Sequence, residues 1–400
     1  MTAEKIVIVG AARTPMGAFL GDFTSLAAHD LGGAAIRAAV ERAQDGATLR
    51  PEQITEVLMG NCLMAGQGQA PARQAVFKGG LPHSTGAVTL SKMCGSGMKA
   101  AMLAHDMLLA HSHNVLVAGG MESMSNAPYL LPKARSGMRI GHDRVLDHMM
   151  LDGLEDAYEP GRSMGTFGED CAARYQFSRA DQDAFATSSV QRAQAAIASG
   201  AFAAEITPVK VSSRAGERLV AVDEGPGKIK LDKIATLKPA FAKDGTITAA
   251  SSSSINDGAA AMVLMRESTA HTLGCTPLAR IVGHATHAQE PNWFTTAPIG
   301  AVAKLLAKIG WTAPEVDLWE VNEAFAVVPM ALMRDLNVAH DRLNIHGGAC
   351  ALGHPIGASG ARIMVTLLYA MRARGLKKGI ATLCIGGGEA TAIALEISGD

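Results

Sequence analysis

The chain has 400 residues, 48% hydrophobic and 18% charged, enough for two or three domains or one large duplicated fold around a sizeable core. A formal net charge of −1 gives no reason to expect a nucleic-acid or anionic-membrane partner, and no apolar run reaches bilayer-spanning length. The stretch from Met1 to Lys5 passes straight into a strand-like run, so no secretory leader is expected, and Cys62, Cys94, Cys171, Cys275, Cys350 and Cys384 form no C-x-x-C pair. A cytoplasmic protein with neither a disulfide framework nor a thiolate zinc site is therefore expected.

Taken in order, residues 6–9 predict a buried strand. Residues 25–43 have helical spacing, with Leu26, Leu31, Ile36 and Val40 facing inward. A strand at 56–59, a helix at 71–78, a strand at 87–90 and a helix at 98–110 follow. The strand at 115–118 then ends in Gly119-Gly120-Met121-Glu122. The order recurs from residue 278: Ala313-Pro314-Glu315 echoes Arg50-Pro51-Glu52, and residues 381–389, ending in Gly386-Gly387-Gly388-Glu389, echo residues 115–122. Two similar α/β halves facing each other across a pseudo-twofold axis would place a ligand crevice at their strand ends. Between them, residues 124–252 have a different texture. They are rich in Pro, Arg and Met at first, then carry a helix pair near 165–200 and a polar, glycine-rich stretch at 212–230. Such an insert commonly covers a site or makes oligomer contacts.

Four segments carry candidate chemistry. Cys94, in Met93-Cys94-Gly95-Ser96-Gly97, sits at a strand-to-helix corner. There the first N–H groups of the helix are expected to lower a thiol pKa and favour the nucleophilic thiolate. Asn322 ends a strand, where its side chain can hold a water or donate to an oxyanion. His354 closes a glycine-rich loop ahead of Pro355, and a neutral imidazole there can take a thiol proton. Cys384 precedes Gly386, Gly387 and Gly388, whose N–H groups can bind an oxyanion. Seen singly, Cys94 and Cys384 read more readily as packing cysteines and Asn322 as a turn residue, and His354 reads equally well as a hydrogen-bonded loop histidine. The repeat places all four at loop ends facing one crevice.

Together, Met93-Cys94-Gly95-Ser96-Gly97, Asn322-Glu323-Ala324-Phe325, Gly353-His354-Pro355 and Cys384-Ile385-Gly386-Gly387-Gly388 resemble the thiolase family, and the resemblance covers essentially the whole chain. It implies an α/β thiolase fold, with duplicated βαβαβαββ halves in a layered αβαβα core and an inserted loop domain. The boundaries it implies are 1–123 (continued at 253–275) and 276–400 for the halves and 124–252 for the insert. It also implies a homo-oligomer, a tetramer built as a dimer of dimers, with residues 121–156 as the tetramer-forming loop.

The implied activity is acetyl-CoA C-acetyl transfer, either condensing two acetyl-CoA or cleaving acetoacetyl-CoA with CoA. A medium- or long-chain 3-ketoacyl-CoA thiolase of fatty-acid metabolism and a non-catalytic lipid-binding homologue are the alternatives. CoA and acyl-CoA are substrates, and no cofactor, metal, nucleic acid or membrane is expected. By resemblance, Cys94 carries the acyl group, His354 takes its proton and Cys384 moves the α-proton of the second acyl-CoA. A water on Asn322 joins His354 at the enolate oxygen, while the N–H groups of Cys94 and Gly386 hold the tetrahedral oxyanion. Ser253 and Phe241 match residues beside the pantetheine arm, and Met164 one lining the acyl pocket. The chain departs from the biosynthetic short-chain pattern at Ser163 and Phe294, where a histidine and a methionine are usual. It departs again at Pro226, near an arginine position at the nucleotide end, with Lys228 and Lys230 close by. A related carrier-protein synthase pairs its cysteine with two histidines, whereas this chain has Asn322 and Cys384.

Overall fold

The computed structural model describes residues 4–213 and 216–397. Outside these lie Met1 to Ala3 of the N-terminal stretch, Arg214 and Ala215 of the polar segment, and residues 398–400. Nine strands form the frame: β1 (Ile6–Arg13), β2 (Glu56–Gly60), β3 (Gly86–Leu90), β4 (Val115–Ser123), β5 (Asn256–Arg266), β6 (Ala279–Ala288), β7 (Leu318–Val321), β8 (Lys378–Ile385) and β9 (Glu389–Glu396). They run in the order β7-β8-β9-β6-β1-β5-β4-β2-β3, and the two-residue strand Gly17–Ala18 on β5 makes ten.

The duplication is visible in that order. Outward from the β1–β6 join, each half places its first strand, then its last, then the one ending in the Gly-rich turn, then the one after the Pro-Glu turn. Only three register pairs make the join: Ile6↔Ile281, Val7↔Arg280 and Ile8↔Ala279. The outermost strand β3 pairs along five residues of β2, but its counterpart in the second half shrinks to a single parallel bridge, Trp319↔Leu343.

Helices fill three layers. The helices of eight residues or more are α1 (Ala28–Gln44), α2 (Pro71–Lys78), α3 (Ser96–Leu109), α4 (Met164–Tyr175), α5 (Arg179–Ser199), α6 (Ala297–Ile309), α7 (Val327–Leu336) and α8 (Ile356–Arg374). The strands explain the layering because alternate side chains enter different cores. Val7, Val57, Val117 and Val263 pack under α1 and α2. Their neighbours Ile6, Leu58, Leu116 and Leu264 pack against α3 and α8. Side chains buried on both faces require helices on both faces. A third core, with Trp319, Val321 and Cys384, lies under α6 and α7. The chain is thus layered αβαβα with α3 and α8 in the middle.

Those two helices approach closely at glycine. A Cβ on Gly360 would fall 2.4 Å from Met98 N, and one on Gly97 2.8 Å from Ala361 N. The contact matters because α3 begins two residues after Cys94 and α8 two residues after His354.

Several expectations shift. β5 starts at Asn256, four residues before the apolar run Ala260 to Met265 that marks it in the sequence. The polar segment also contains a hairpin, Val209–Ser213 with Gly216–Val220, whose Val209, Val211 and Val220 reach the first core. Its second strand buries only Val220 and leaves Leu219 69% exposed, so the period-two pattern is broken there in the sequence.

Candidate active site

Cys94 follows a sharp turn. Met93 has φ +46°, a left-handed conformation rare for a side chain of its size. Ser96 locks the turn, its Oγ accepting from Lys92 N at 2.8 Å and donating to Met93 O at 2.6 Å. The sulfur is faced by its own N–H and by that of Gly386, both favouring the thiolate. Burial outweighs them and raises the thiol to about 11. The expectation of a pKa lowered by the helix start is therefore corrected. The N–H groups are in place, but desolvation of a sulfur enclosed between two sheet halves is the larger effect.

His354 reaches the same space from the other half. Gly353 before it has φ +96°, and a Cβ there would fall 2.0 Å from Asn256 Oδ1. That Asn256 oxygen accepts from His354 N at 3.2 Å and anchors the backbone. Burial, then the charge of Arg362, lowers the imidazole to about 3, so it is neutral at physiological pH. Nδ1 lies 2.5 Å from Ser359 Oγ, which itself donates to Pro355 O at 2.9 Å. Nε2 is buried without a protein partner.

Cys384 ends β8 and is buried, and burial, with Cys94 nearby, raises its thiol well above the usual range. The turn after it needs glycine. Gly387 and Gly388 have φ +90° and +86°, and a Cβ on Gly388 would fall 2.3 Å from Gln289 O. An ion pair between Lys92 and Glu389 ties this turn to the Cys94 loop.

Seven of the nine expected residues line one cavity of about 60 Å³: Cys94, His354, Cys384, Gly386, Ser253, Met164 and Phe294. A second cavity of about 260 Å³ shares Ser253, Met164 and His354 with it and adds Phe241. Phe241 and Phe294 are held edge-on by Phe325 and Phe167, at centroid separations of 5.8 and 6.0 Å. Asn322 lines neither cavity. It is fully buried at the end of β7, and both its side-chain polar atoms lack a protein partner. Ser163 serves as N-cap of α4, accepting from Gly165 N, and lines the larger cavity. Lys228 pairs with Glu224, and neither it nor Lys230 lines these cavities.

Two neighbours had no reading from sequence. Ser359, six residues into the His354-Pro355 segment, has a signal only in retrospect. Glu122 is buried at the end of β4 and accepts from Asn61 Nδ2 (2.6 Å), Cys62 N (3.0 Å), Leu63 N (3.1 Å) and Gly357 N (2.8 Å). It ties the 61–63 loop to α8, and burial raises it to about 7. Its echo of Glu389 was the available clue.

Two thiols and an imidazole from opposite halves thus line one small cavity, with the N–H groups of Cys94 and Gly386 facing the Cys94 sulfur, and the comparisons with known proteins define the class as an acyltransferase. The thiolase N-terminal domain matches residues 6–268 and the thiolase C-terminal domain residues 275–397. The chain belongs to the thiolase family. It is similar to an acetyl-CoA acetyltransferase of Allochromatium vinosum, 46% identical over 98% of this chain and 99% of that one. Acetyl-CoA acetyltransferase 1 of Arabidopsis thaliana is 48% identical, with 98% and 94% covered. The Acat5 thiolase of Ascaris suum, whose crystal structure is a complex with coenzyme A, matches with TM-score 0.92 at 40% identity over 98% of this chain and 100% of that one.

Proposed function

We propose that the chain is an acetyl-CoA C-acetyltransferase, condensing two acetyl-CoA to acetoacetyl-CoA and CoA or running the reverse thiolysis. The observation that carries this is the 60 Å³ cavity shared by Cys94, His354, Cys384 and Gly386. It suits a two-carbon acyl group, and a longer chain has to displace Phe294 or Met164. The larger cavity, with Ser253 and Phe241, suits the pantetheine arm of CoA.

The resting site is neutral throughout, with a thiol near 11 beside an imidazole near 3. Cys94 Sγ therefore loses its proton to His354 Nε2 as the sulfur bonds to the thioester carbon, not beforehand. The N–H groups of Cys94 and Gly386 hold the oxygen of the tetrahedral intermediate, an effect worth about 3 kcal/mol per donor. The CoA sulfur leaves with the proton from His354. Cys384, a neutral thiol at rest, first releases its own proton to solvent as CoA departs, and its thiolate then takes the α-proton of the second acetyl-CoA, while His354 and a water on Asn322 hold the enolate oxygen. The enolate carbon attacks the acetyl group on Cys94, which departs as thiolate and takes the proton from Cys384, and Cys384 regains its own from solvent.

Residues 124–252 are assigned as the insert that covers this site, between halves 1–123 (with 253–275) and 276–400. Tyr129, Ile140, Val145 and Tyr158 are exposed on it, Ile140 at 98%, which supports a tetramer formed through this segment. No helix among the described residues is long and apolar enough to cross a membrane. A cytoplasmic place and a role in fatty-acid metabolism are part of this reading.

Purified protein should cleave acetoacetyl-CoA with CoA to acetyl-CoA, and kcat/KM should fall about tenfold or more for an eight-carbon 3-ketoacyl-CoA. A flat profile would refute acetyl specificity, and no acyl-CoA from any chain length would refute the activity itself.

A further inference from the structure

At the opposite end of α3 from Cys94, His105 and Asp106 meet His284 of β6. Asp106 Oδ1 lies 3.0 Å from His105 Nδ1 and 2.9 Å from His284 Nε2. The imidazoles stand perpendicular with centroids 5.0 Å apart, and the three donor atoms lie within 4.8 Å of one another. Both imidazole side chains are largely enclosed, at 11% and 10% exposure, while Asp106 at 56% faces solvent. Lys308, the neighbouring cation, donates to His284 O at 3.2 Å and so is turned to the backbone.

The geometry points to a site for a divalent transition-metal ion, held by His105 Nδ1, Asp106 and His284 Nε2, that staples the N-terminal half to the C-terminal half. Two imidazoles and one carboxylate suit zinc or cobalt and not calcium or magnesium, which prefer all-oxygen sites. Tetrahedral zinc with bonds near 2.0–2.1 Å needs donors about 3.3 Å apart. The two Asp106 separations are within a few tenths of an ångström of that, and an ion replaces the two Asp106–imidazole contacts while drawing together the two imidazole nitrogens, which lie within 4.8 Å. The solvent side leaves room for a water as fourth ligand. Asp106 and His284 are 178 positions apart, so no spacing in the sequence signals the site. The site is remote from Cys94, and its effect is on how firmly α3 is held against β6.

The test uses the full chain freed of metal with EDTA. One equivalent of Co²⁺ should give visible d–d bands without a thiolate charge-transfer band. Zn²⁺ should displace it and raise Tm by about 3 °C at roughly a hundredfold excess over Kd. His284→Gln and Asp106→Asn should each remove the bands and weaken binding by about 100-fold or more. Both should keep the circular dichroism spectrum and thiolysis rate of the metal-free wild type. A readout without variants is Zn²⁺ protection of His105 and His284 from carbethoxylation, mapped by mass spectrometry. No binding, a charge-transfer band reporting cysteine ligands, bands that persist in both variants, or absence of protection would each overturn the proposal.

Discussion

His354 has two assigned tasks, taking a proton from Cys94 and later donating a hydrogen bond to an enolate, and one imidazole nitrogen, Nε2, must serve both. Ser359 is the group that permits it. Its single hydroxyl proton has two acceptors in reach, Pro355 O at 2.9 Å and His354 Nδ1 at 2.5 Å. When the hydroxyl donates to Pro355, it accepts Nδ1–H and leaves Nε2 as a base. When it turns to Nδ1, Nε2 carries the proton and becomes a donor. Ser359 is thus a positioning residue. Ser359→Ala should lower kcat about tenfold with KM little changed, by analogy with losing a hydrogen-bonded support behind a functional histidine. Ser359→Thr, which keeps the hydroxyl, should recover part of the loss. Steady-state thiolysis kinetics check this, and unchanged kcat in Ser359→Ala would remove Ser359 from the mechanism. Ser359 was illegible from sequence because a serine early in a helix is ordinary, and only the proximity of Nδ1 gives it meaning. Cys94 teaches the converse. Its place at a helix start was legible, but the desolvation that raises its pKa comes from packing between halves, which local sequence does not carry.

At the scale of elements, the pairing of α3 with α8 sets the distance between the two halves of the site. Gly360 faces Met98 N, so a methyl group there meets backbone and not a side chain that can move. Gly360→Ala should therefore cost about 1–3 kcal/mol, read as a lower midpoint in urea unfolding, and should also lower thiolysis by shifting Cys94 from His354. A variant with wild-type stability and rate would mean that the contact does not set the site. Helix and strand existence was largely legible here. Helix 71–78 agrees with α2, and 98–110 lies within two residues of α3. The repeat gave the order of elements, yet the narrow β1–β6 join and the collapse of the β3 counterpart to one bridge were not legible. Both depend on which strands meet edge to edge.

For the molecule as a whole, the duplication is what makes chemistry possible. Each half supplies a strand-end turn, and the cavity takes Cys94 from one half and His354 and Cys384 from the other. Of the seven expected residues that reach one small cavity, Cys94, Cys384 and Gly386 come from strand ends that the repeat in the sequence reveals, whereas Met164, Ser253, Phe294 and His354 arrive on a helix, loops and turns outside those strand ends. Asn322 lines neither cavity and is buried with unpartnered side-chain atoms, and Phe241 lines the wider one. The cluster of His105, Asp106 and His284 was invisible because its members come from different halves.

The central claim is that the two cysteines, one from each half, divide the reaction between them. Intact-mass and peptide mass spectrometry after mixing with acetyl-CoA tests it most directly. Wild type and Cys384→Ala should both gain one acetyl group on the Cys94 peptide, and Cys384→Ala should form no acetoacetyl-CoA. Cys94→Ala should gain none. Stoichiometric acetylation of Cys94→Ala, or condensation at the wild-type rate by Cys384→Ala, would contradict the account.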